Sequence, residues 1–395
     1  MDCTNYEECL KEVADIENFN INNEELNFLF VGCWGVYGKD GEKEDKNWKE
    51  DKKKWAEKKN TYGQQSVVNA MIKFVNDKGP QQAVILAGDN VYADSEIPLD
   101  DDFRKKIELY GKHYSYNMDK QFQDGFIKSM STVPTDHFLI GVGNHDIETC
   151  ETINKQLNYK EKKWTMPALS YKIMYINKKP KEFNVNLIFI DTNMYKKKWC
   201  FKQEKLLHPL DDKVYPLEGQ EYPKDAIEKQ ADWLGKALDK SPNTWNIVIG
   251  HIPFYCVSHK EPKDPTNAKK LQVLNEDLYN LMLKYAEHID LYMCADEHNQ
   301  QYITGLVDEG NGPTYIPNYG KKEFVIPPQV IAGSGGTFLD PNIYIVKGSP
   351  LEKATKYHQS IFGFVSVKVN NENISVNFND TQGKLTVKFD IDKKR

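Results

Sequence analysis

Four polar clusters in this chain each directly follow a short apolar run. They are residues 88–92 (GDNVY), 143–146 (GNHD), 250–253 (GHIP) and 296–299 (DEHN). Ligand groups in α/β sheets gather beyond the carboxyl ends of the strands, so we expect these clusters to meet in one crevice. Their carboxylate, phenolate, amide and imidazole groups suit metals such as iron, manganese or zinc. The pattern therefore predicts a shared metal pocket rather than four separate turns.

The elements that must position these clusters can be predicted from hydrophobic periodicity. Continuous apolar runs predict buried strands at 26–32, 83–89, 138–143, 185–191, 245–250 and 289–294. Apolar residues at helical spacing predict helices within 225–240 and 271–286. Antiparallel strands packed on the second sheet of the same domain are predicted by the alternating segments 362–369, 374–378 and 385–391. Strands interleaved with helices predict a layered α/β fold.

The composition narrows the possible functions. The 395 residues are 39% hydrophobic and 12% aromatic, which is enough for a substantial core. A formal net charge of -6 gives no general attraction to nucleic acid or to anionic membranes. With no apolar run of bilayer length and no apolar signal region, we expect a soluble chain. Seven cysteines do not predict a disulfide scaffold, and glycosylation sequons at Asn373 and Asn379 support a secretory route only weakly.

A charged segment at 39–60 contains Trp48 and Trp55 among many lysines and acidic residues. Two interpretations stay open for it. The segment is either a solvated, partly helical surface insertion or a docking surface, since tryptophan is a preferred anchor at protein interfaces.

The order and content of the four clusters resemble those of the calcineurin-like metallophosphoesterases, specifically the purple acid phosphatases. The resemblance extends to a Phe-Val-Gly-x-Trp-Gly opening at 30–35 and to a segment at 291–302 that ends in HNQQY. It implies a four-layer α/β sandwich of two packed mixed β-sheets flanked by helices, with a dinuclear metal site at one edge. The implied organisation is a lead-in at 1–25, one phosphatase-like domain at 26–392, and a basic end at 393–395 before a membrane span.

The resemblance also implies roles for individual residues. Asp89 would bridge two metal ions. Tyr92 and His298 would bind the first ion, whereas Asn144 and His251 would bind the second.

Two positions depart from the family pattern. Cys33 stands in place of an aspartate on the first ion, and Asp296 stands in place of a histidine on the second. Both side chains can bind metal. Cys33 could instead be an inert buried residue, and Asp296 could be a turn residue or an acceptor for His298.

Two further histidines are implied to face the substrate. His145 would contact the substrate phosphate or protonate the leaving group, and His259 stands where a second phosphate-contacting histidine is expected. The implied cofactor is a pair of divalent or mixed-valence ions drawn from zinc, cobalt, manganese and iron, and a thiolate at Cys33 favours zinc or cobalt. Because one donor changes on each ion, the pattern implies weak or absent phosphatase activity.

Within the family, the chain resembles the glideosome-associated membrane anchor proteins of apicomplexan parasites, a phosphatase-like branch. This implies a scaffold or pseudoenzyme that holds the gliding-motor complex to the inner membrane complex. It would be the lumenal domain of a secretory-pathway protein with a C-terminal membrane span. Two alternatives stay open: an active metal-dependent acid phosphatase that hydrolyses phosphomonoesters, and a phosphate- or nucleotide-binding module without turnover.

Overall fold

The computed structural model describes most of the predicted domain. The described residues are 10–12, 19–20, 24–35, 63–92, 121–147, 150–161, 163–177, 183–195, 206–207, 214–215, 222, 224–257, 275–304, 306–308, 313–315, 324–337, 339–340, 345, 347 and 350–393. The insertion at 39–60, with Trp48 and Trp55, lies outside them, and so does His259.

A seven-stranded sheet carries the first three predicted strands and the tail. Its strands in spatial order are β21 (Leu385–Asp392), β20 (Asn373–Asp380), β19 (Gly363–Val369), β3 (Leu26–Val31), β4 (Ala83–Ala87), β5 (Phe138–Gly141) and β6 (Trp164–Thr165). Strands β3 to β6 run parallel to one another, and the tail strands join β3 in antiparallel register. The carboxyl ends of β3, β4 and β5 therefore lie side by side.

A nine-stranded sheet carries the other three predicted strands. Its strands in spatial order are β1 (Leu10–Glu12), β7 (Ser170–Asn177), β8 (Phe183–Phe189), β11 (Thr244–Ile249), β12 (Leu291–Cys294), β17 (Gln329–Ala332), β13 (Gln300–Ile303) and β18 (Thr355–Gln359), and β2 (Phe19–Asn20) also pairs with β7. Strands β8, β11, β12 and β17 run parallel. Their carboxyl ends form a second row of turns. Strands β1 and β2 belong to the predicted lead-in, which therefore contributes to this sheet.

Helices and short strands complete the described part of the chain. The helices are α1 (Gln64–Lys78), α2 (Cys150–Leu157), α3 (Ala226–Ala237), α4 (Glu276–Lys284) and α5 (Pro350–Ala354). The short strands are β9 (Leu206–Leu207) with β10 (Val214–Tyr215), and β14 (Leu306–Asp308) with β15 (Pro313–Tyr315) and β16 (Phe324–Val325). Helix α4 begins where the Asn275 side chain accepts a hydrogen bond from the Leu278 amide at 3.0 Å, a side-chain cap that satisfies one end of the helix. None of the described helices is both long enough and apolar enough to cross a membrane.

Both faces of the central strands are buried, which explains why they appear as continuous apolar runs. Phe28 and Phe30 of β3 pack in the layer between the sheets together with Leu187 of β8. Leu29 and Val31 of the same strand face the opposite way and lie in a cluster that includes Val67 and Met71 of α1. Phe28 to Val31 form a continuous apolar run because each face of the strand meets another layer.

The predicted fold class is confirmed. The six apolar runs correspond to β3, β4, β5, β8, β11 and β12, and the two helical patterns correspond to α3 and α4. The tail strands are antiparallel, as predicted, and they extend the first sheet beside β3. They also pack on the second sheet: the Phe389 ring of β21 stacks on the Tyr302 ring of β13 with centroids 4.2 Å apart. Two sheets packed face to face between helices form the layered α/β architecture expected from the sequence.

Candidate metal centre

The described candidate residues meet at the carboxyl ends of five parallel strands, three from one sheet and two from the other. Each lies within a few residues of a strand end, as follows: Cys33 after β3, Asp89 and Tyr92 after β4, Asn144 and His145 after β5, His251 after β11, and Asp296 and His298 after β12. The contacts below link all eight of them into one site. The edge shared by the two sheets is therefore where the sequence predicted a pocket.

One group of donors surrounds Asp89 on the side of the first sheet. Ligand atoms of Cys33, Asp89 and His298 all lie within 4.8 Å of one another. The Tyr92 hydroxyl donates to Asp89 Oδ2 at 3.0 Å, and the Cys33 sulfur lies 3.6 Å from the same oxygen. Thiol, carboxylate, imidazole and phenol groups at these separations fit a single metal ion with nitrogen, oxygen and sulfur ligands.

A second group of donors converges on His251. Its Nε2 lies 3.2 Å from Asp89 Oδ1, 3.2 Å from Asn144 Oδ1 and 3.5 Å from Asp296 Oδ1. The other ring nitrogen, Nδ1, lies 2.7 Å from the Ala87 carbonyl oxygen. A hydrogen bond from Nδ1 to that carbonyl directs Nε2 into the pocket, which is how metal-binding histidines are commonly oriented.

The two oxygens of Asp89 point to different donor groups. Oδ2 faces Cys33 and Tyr92, whereas Oδ1 faces His251 and also accepts a hydrogen bond from the His145 backbone amide at 3.1 Å. A carboxylate with one oxygen directed to each of two donor sets has the geometry required of a bridging ligand. The site therefore fits two neighbouring metal ions.

Backbone strain is concentrated at this site. Among the described residues, the non-glycine residues with positive φ are Cys33 (53°), Asp89 (53°) and Asp296 (62°). Aspartate tolerates this left-handed region better than most residues, but cysteine gains no such advantage. Strained backbone of this kind persists where the surrounding structure fixes it, and it clusters at functional sites.

Two glycines allow the turns to approach one another closely. Gly88 has a φ of 86°, and a Cβ there would lie 2.7 Å from His251 Nδ1. A Cβ on Gly143 would lie 2.2 Å from the Asp89 backbone nitrogen. Larger residues at either position would separate the turns that carry the donors.

The family of the chain follows from comparison with known proteins. Residues 26–300 match the profile described as calcineurin-like phosphoesterase. The chain belongs to this family. It is 24% identical over 288 residues to tartrate-resistant acid phosphatase type 5 of Rattus norvegicus, a match that covers 70% of this chain and 73% of that protein. The corresponding human protein is also 24% identical, over 70% of this chain and 74% of its own length.

Two solved structures of this phosphoesterase fold are similar across almost the whole chain. One is GAP50, described as the anchor in the inner membrane complex of Plasmodium, with a TM-score of 0.57, 16% identity, and coverage of 94% of this chain and 90% of that one. The other is the purple acid phosphatase PPD1 from yellow lupin seeds, with a TM-score of 0.54, 14% identity, and coverage of 93% and 54%. At these identities the similarity establishes the fold, and the expected resemblance to purple acid phosphatases is confirmed.

Burial and mutual charge govern the proton equilibria of the phosphoesterase site. Burial raises the pKa of the Cys33 thiol well above its ordinary value, and the charges of Asp89 and Asp296 raise it further. Burial alone would lower the pKa of His251, but Asp89 and Asp296 outweigh it and raise this pKa to about 10. Burial also opposes ionisation of Asp89, yet His251 and His145 hold its pKa below the ordinary value. A bound cation would favour the thiolate form of Cys33, because metals displace ligand protons.

Sequence reasoning missed several residues that hold the histidines in place. The Thr192 hydroxyl oxygen accepts hydrogen bonds from the backbone amides of His251, at 3.2 Å, and Ile252, at 3.0 Å. The Asp340 carboxylate accepts one from the His298 amide at 2.8 Å. Thr192 lies three residues beyond the end of β8, so the rule that identified the four polar clusters could have found it. Asp340 follows a glycine-rich loop and gives no comparable signal.

Proposed function

We propose that this chain is a scaffold protein that keeps the metal centre of its family but hydrolyses phosphomonoesters only weakly. In this role it would anchor a gliding-motor complex at an inner membrane complex. The observation that supports weak hydrolysis is the donor set. The Cys33 thiol takes the place of a carboxylate beside Asp89 and His298, and the Asp296 carboxylate takes the place of an imidazole beside His251.

The residues present fit two ions. Cys33, Asp89, Tyr92 and His298 would hold the first, and Asp89 would share the second with Asn144, His251 and Asp296. When bound, such a pair of ions supplies Lewis acidity and a nucleophile near neutral pH. A thiolate among the donors favours zinc or cobalt over oxidised iron, and an extra carboxylate lowers the net positive charge of the second position. Both substitutions preserve binding groups, but Cys33 supplies a softer donor and Asp296 adds a negative charge, which supports metal retention with reduced catalysis.

His145 would act on the substrate rather than on a metal. Its backbone amide donates to Asp89 Oδ1 at 3.1 Å, and its ring lies 4.4 Å from the Tyr92 ring between centroids. The side chain is only partly buried, whereas Asn144 beside it is buried. A partly exposed imidazole at the rim of the pocket is suited to contact a phosphate group or to protonate a leaving group. His259 is proposed for a second phosphate contact from sequence alone.

The scaffold role is supported by similarity across the whole fold. GAP50, the anchor in the inner membrane complex of Plasmodium, matches 94% of this chain and 90% of its own. By this analogy the partners would be gliding-motor proteins, and the location would be the lumenal side of the inner membrane complex. Such an assignment rests on analogy between folds, so it requires a direct binding test.

An active acid phosphatase is the second candidate. It is favoured by the intact bridging geometry of Asp89 and by the retained His145. The 24% identity to tartrate-resistant acid phosphatase type 5 over 70% of the chain also favours it. The two candidates predict different turnover by the same metal-loaded protein.

Metal content and turnover measured together test the proposal. The full chain would be loaded in turn with zinc, cobalt, manganese and iron, its metal content determined by elemental analysis, and p-nitrophenyl phosphate hydrolysis followed across a pH series. His145→Ala reports turnover that belongs to this site, and His288→Ala, before β12, is the matched control. Bound metal with turnover far below that of a tartrate-resistant acid phosphatase supports the scaffold, whereas equal turnover supports the enzyme. Protein that binds none of these metals would contradict both candidates.

Anchoring is tested separately by co-purification of the full chain with motor-complex proteins. Retention of the complex is the expected result. If the metal-loaded chain is well folded and still retains none of these proteins, the anchoring role is wrong.

A further inference from the structure

Asp146 lies at the end of the GNHD cluster, and its side chain is fully buried, with 0% exposure. Its two oxygens accept hydrogen bonds from five donors: the Asn90 amide (2.9 Å), Asn90 Nδ2 (3.1 Å), the Val91 amide (3.1 Å), the Gly143 amide (2.7 Å) and Gln156 Nε2 (3.0 Å). We propose that Asp146 is a positioning residue that sets the spacing between the metal-binding turns of the first sheet, an inference that rests on the proposed metal centre.

Four of the five donors come from two metal-binding turns. Asn90 and Val91 belong to the turn that carries Asp89 and Tyr92. Gly143 begins the turn that carries Asn144 and His145. One carboxylate therefore fixes the turn with the bridging ligand against the turn with a donor to the second ion. Gln156 holds the same carboxylate from helix α2, which lies outside the metal-binding turns.

Asn90 extends this connection to a third turn. Its side-chain oxygen accepts a hydrogen bond from Trp34 Nε1 at 2.8 Å, and Trp34 is the residue after Cys33. Its side-chain nitrogen also donates to the Gly141 carbonyl at 2.9 Å, at the end of β5. The turns after β3, β4 and β5 are thus joined through Asp146 and Asn90. In the other sheet, Thr192 holds the backbone of His251 and Asp340 holds the backbone of His298.

The role requires a carboxylate. Five N–H donors converge on two oxygens, and the two oxygens of a carboxyl group offer about four lone-pair sites for them. An amide would turn its own N–H₂ group toward some of these donors and leave buried backbone amides without an acceptor. Asp146→Asn therefore changes the acceptor pattern while it keeps the size of the side chain.

Asp146 and its five donors form a clamp between the metal-binding turns. Loss of this clamp should weaken metal binding without removing a ligand. Groups that orient metal ligands commonly contribute about 10–100-fold to metal affinity. We expect Asp146→Asn to lower Co²⁺ affinity by about 10–100-fold and to change the visible absorption spectrum of the Co²⁺-loaded protein. A residue with only a structural role would lower the melting temperature of the metal-free protein and leave that spectrum unchanged.

The experiment is a Co²⁺ titration of the full chain against a competing chelator, with unfolding of the metal-free protein measured in parallel. Asp124→Asn is the matched control, because it makes the same chemical change at a carboxylate outside the site. The Asp124 carboxylate pairs with Lys128 at 2.7 Å. Asp146→Asn/Gln156→Glu restores the net charge but not the acceptors for the backbone amides. We expect the Asp124→Asn affinity to match that of the unaltered protein, and the double variant to stay weak.

The outcomes distinguish failure of the proposed metal centre from failure of the clamp. If unaltered protein binds no Co²⁺ or any other metal tested, the proposed metal centre fails and the clamp fails with it. If unaltered protein binds Co²⁺ and folded Asp146→Asn binds it equally well, the clamp alone is wrong. Full recovery in the charge-restored double variant would also overturn it, since charge would then explain the loss. If Asp146→Asn does not fold, Asn90→Ala decides: weaker binding supports the clamp, and unchanged binding overturns it.

Discussion

Restoring the family's donors at both altered positions should restore hydrolysis. Cys33→Asp returns a carboxylate to the first ion, and Asp296→His returns a neutral imidazole to the second. Both replacements suit the local backbone, because φ is 53° at Cys33 and 62° at Asp296, and aspartate and histidine are enriched at positive φ. The side chain of Asp296 is 17% exposed, so the position is not closed to the larger imidazole ring. A less anionic donor set also leaves the second ion a stronger Lewis acid.

The expected gain in activity of the double variant depends on how strongly Cys33 and Asp296 are coupled through Asp89. The Cys33 sulfur lies 3.6 Å from Asp89 Oδ2. Asp296 Oδ1 lies 3.5 Å from His251 Nε2, which is itself 3.2 Å from Asp89 Oδ1. Residues coupled through shared partners show interaction free energies of about 0.5–3 kcal/mol. We therefore expect the gain of the double variant to exceed the product of the single gains by about twofold to about 150-fold.

The measurement is kcat/KM for p-nitrophenyl phosphate in the unaltered protein, both single variants and the double variant. Each protein is loaded with the same metals, and its metal content is determined. Cys33→Ser and Asp296→Asn are the matched controls, because they keep side-chain size and supply neither a carboxylate nor an imidazole. If the double variant binds two ions and gains no activity, the ligand changes are not what limits hydrolysis. The cause would then lie in the shape of the pocket or at His259.

Three further predictions concern stability. Gly143→Ala should lower the free energy of unfolding, measured by urea titration, by about 1–3 kcal/mol, because its Cβ would lie 2.2 Å from the Asp89 nitrogen. Gly141→Ala is the control and should be nearly neutral, because its Cβ would meet nothing nearer than 3.5 Å. Burial raises the pKa of Asp191 from 3.8 to about 6, so its contribution is complete below pH 3.8 and is lost as pH rises through 6; urea titrations should show a decrease that is ~3 kcal/mol larger in unaltered protein than in Asp191→Asn. Metal removal by a chelator should lower the melting temperature, since an ion that binds only the folded state stabilises it; an unchanged melting temperature would count against the metal centre.

Burial on both faces made the central strands predictable. Residues 28–31 of strand β3 alternate between two apolar layers, so they form a continuous apolar run. The strands that were not predicted lack this signature. Strand β18 is polar and mostly exposed along its length, and β13 and β17 are buried but begin with the polar residues Gln300 and Gln329. In β7, Tyr171, Ile173 and Tyr175 alternate with less buried residues. This two-residue periodicity would have predicted a half-buried strand there.

The sequence was enough to predict that the site residues converge, but it did not show which contacts hold them in place. Strand ends and residue types sufficed to group Asp89 with His251, because parallel strands end at one edge. The clamp at Asp146 depends on Gln156 from helix α2, and that contact exists only after the helix packs on the sheet. The positive φ at Cys33 likewise follows from tertiary hydrogen bonds: its amide donates to the Gly88 carbonyl at 3.1 Å, and its carbonyl accepts from Thr337 at 3.1 Å.

The placement of the donors explains how a scaffold could keep a metal centre without efficient hydrolysis. Asp89 comes from the first sheet and His251 from the second, so an ion held by both connects the two sheets. Such a connection requires only donors at the correct positions, and it stabilises the folded chain by about 4 kcal/mol when free metal exceeds the dissociation constant 1,000-fold. Hydrolysis requires more, because the donors must also give each ion the Lewis acidity that the reaction needs. Cys33 and Asp296 meet the first requirement and alter the second. A protein used for its surfaces would therefore benefit from the metal even where turnover is weak.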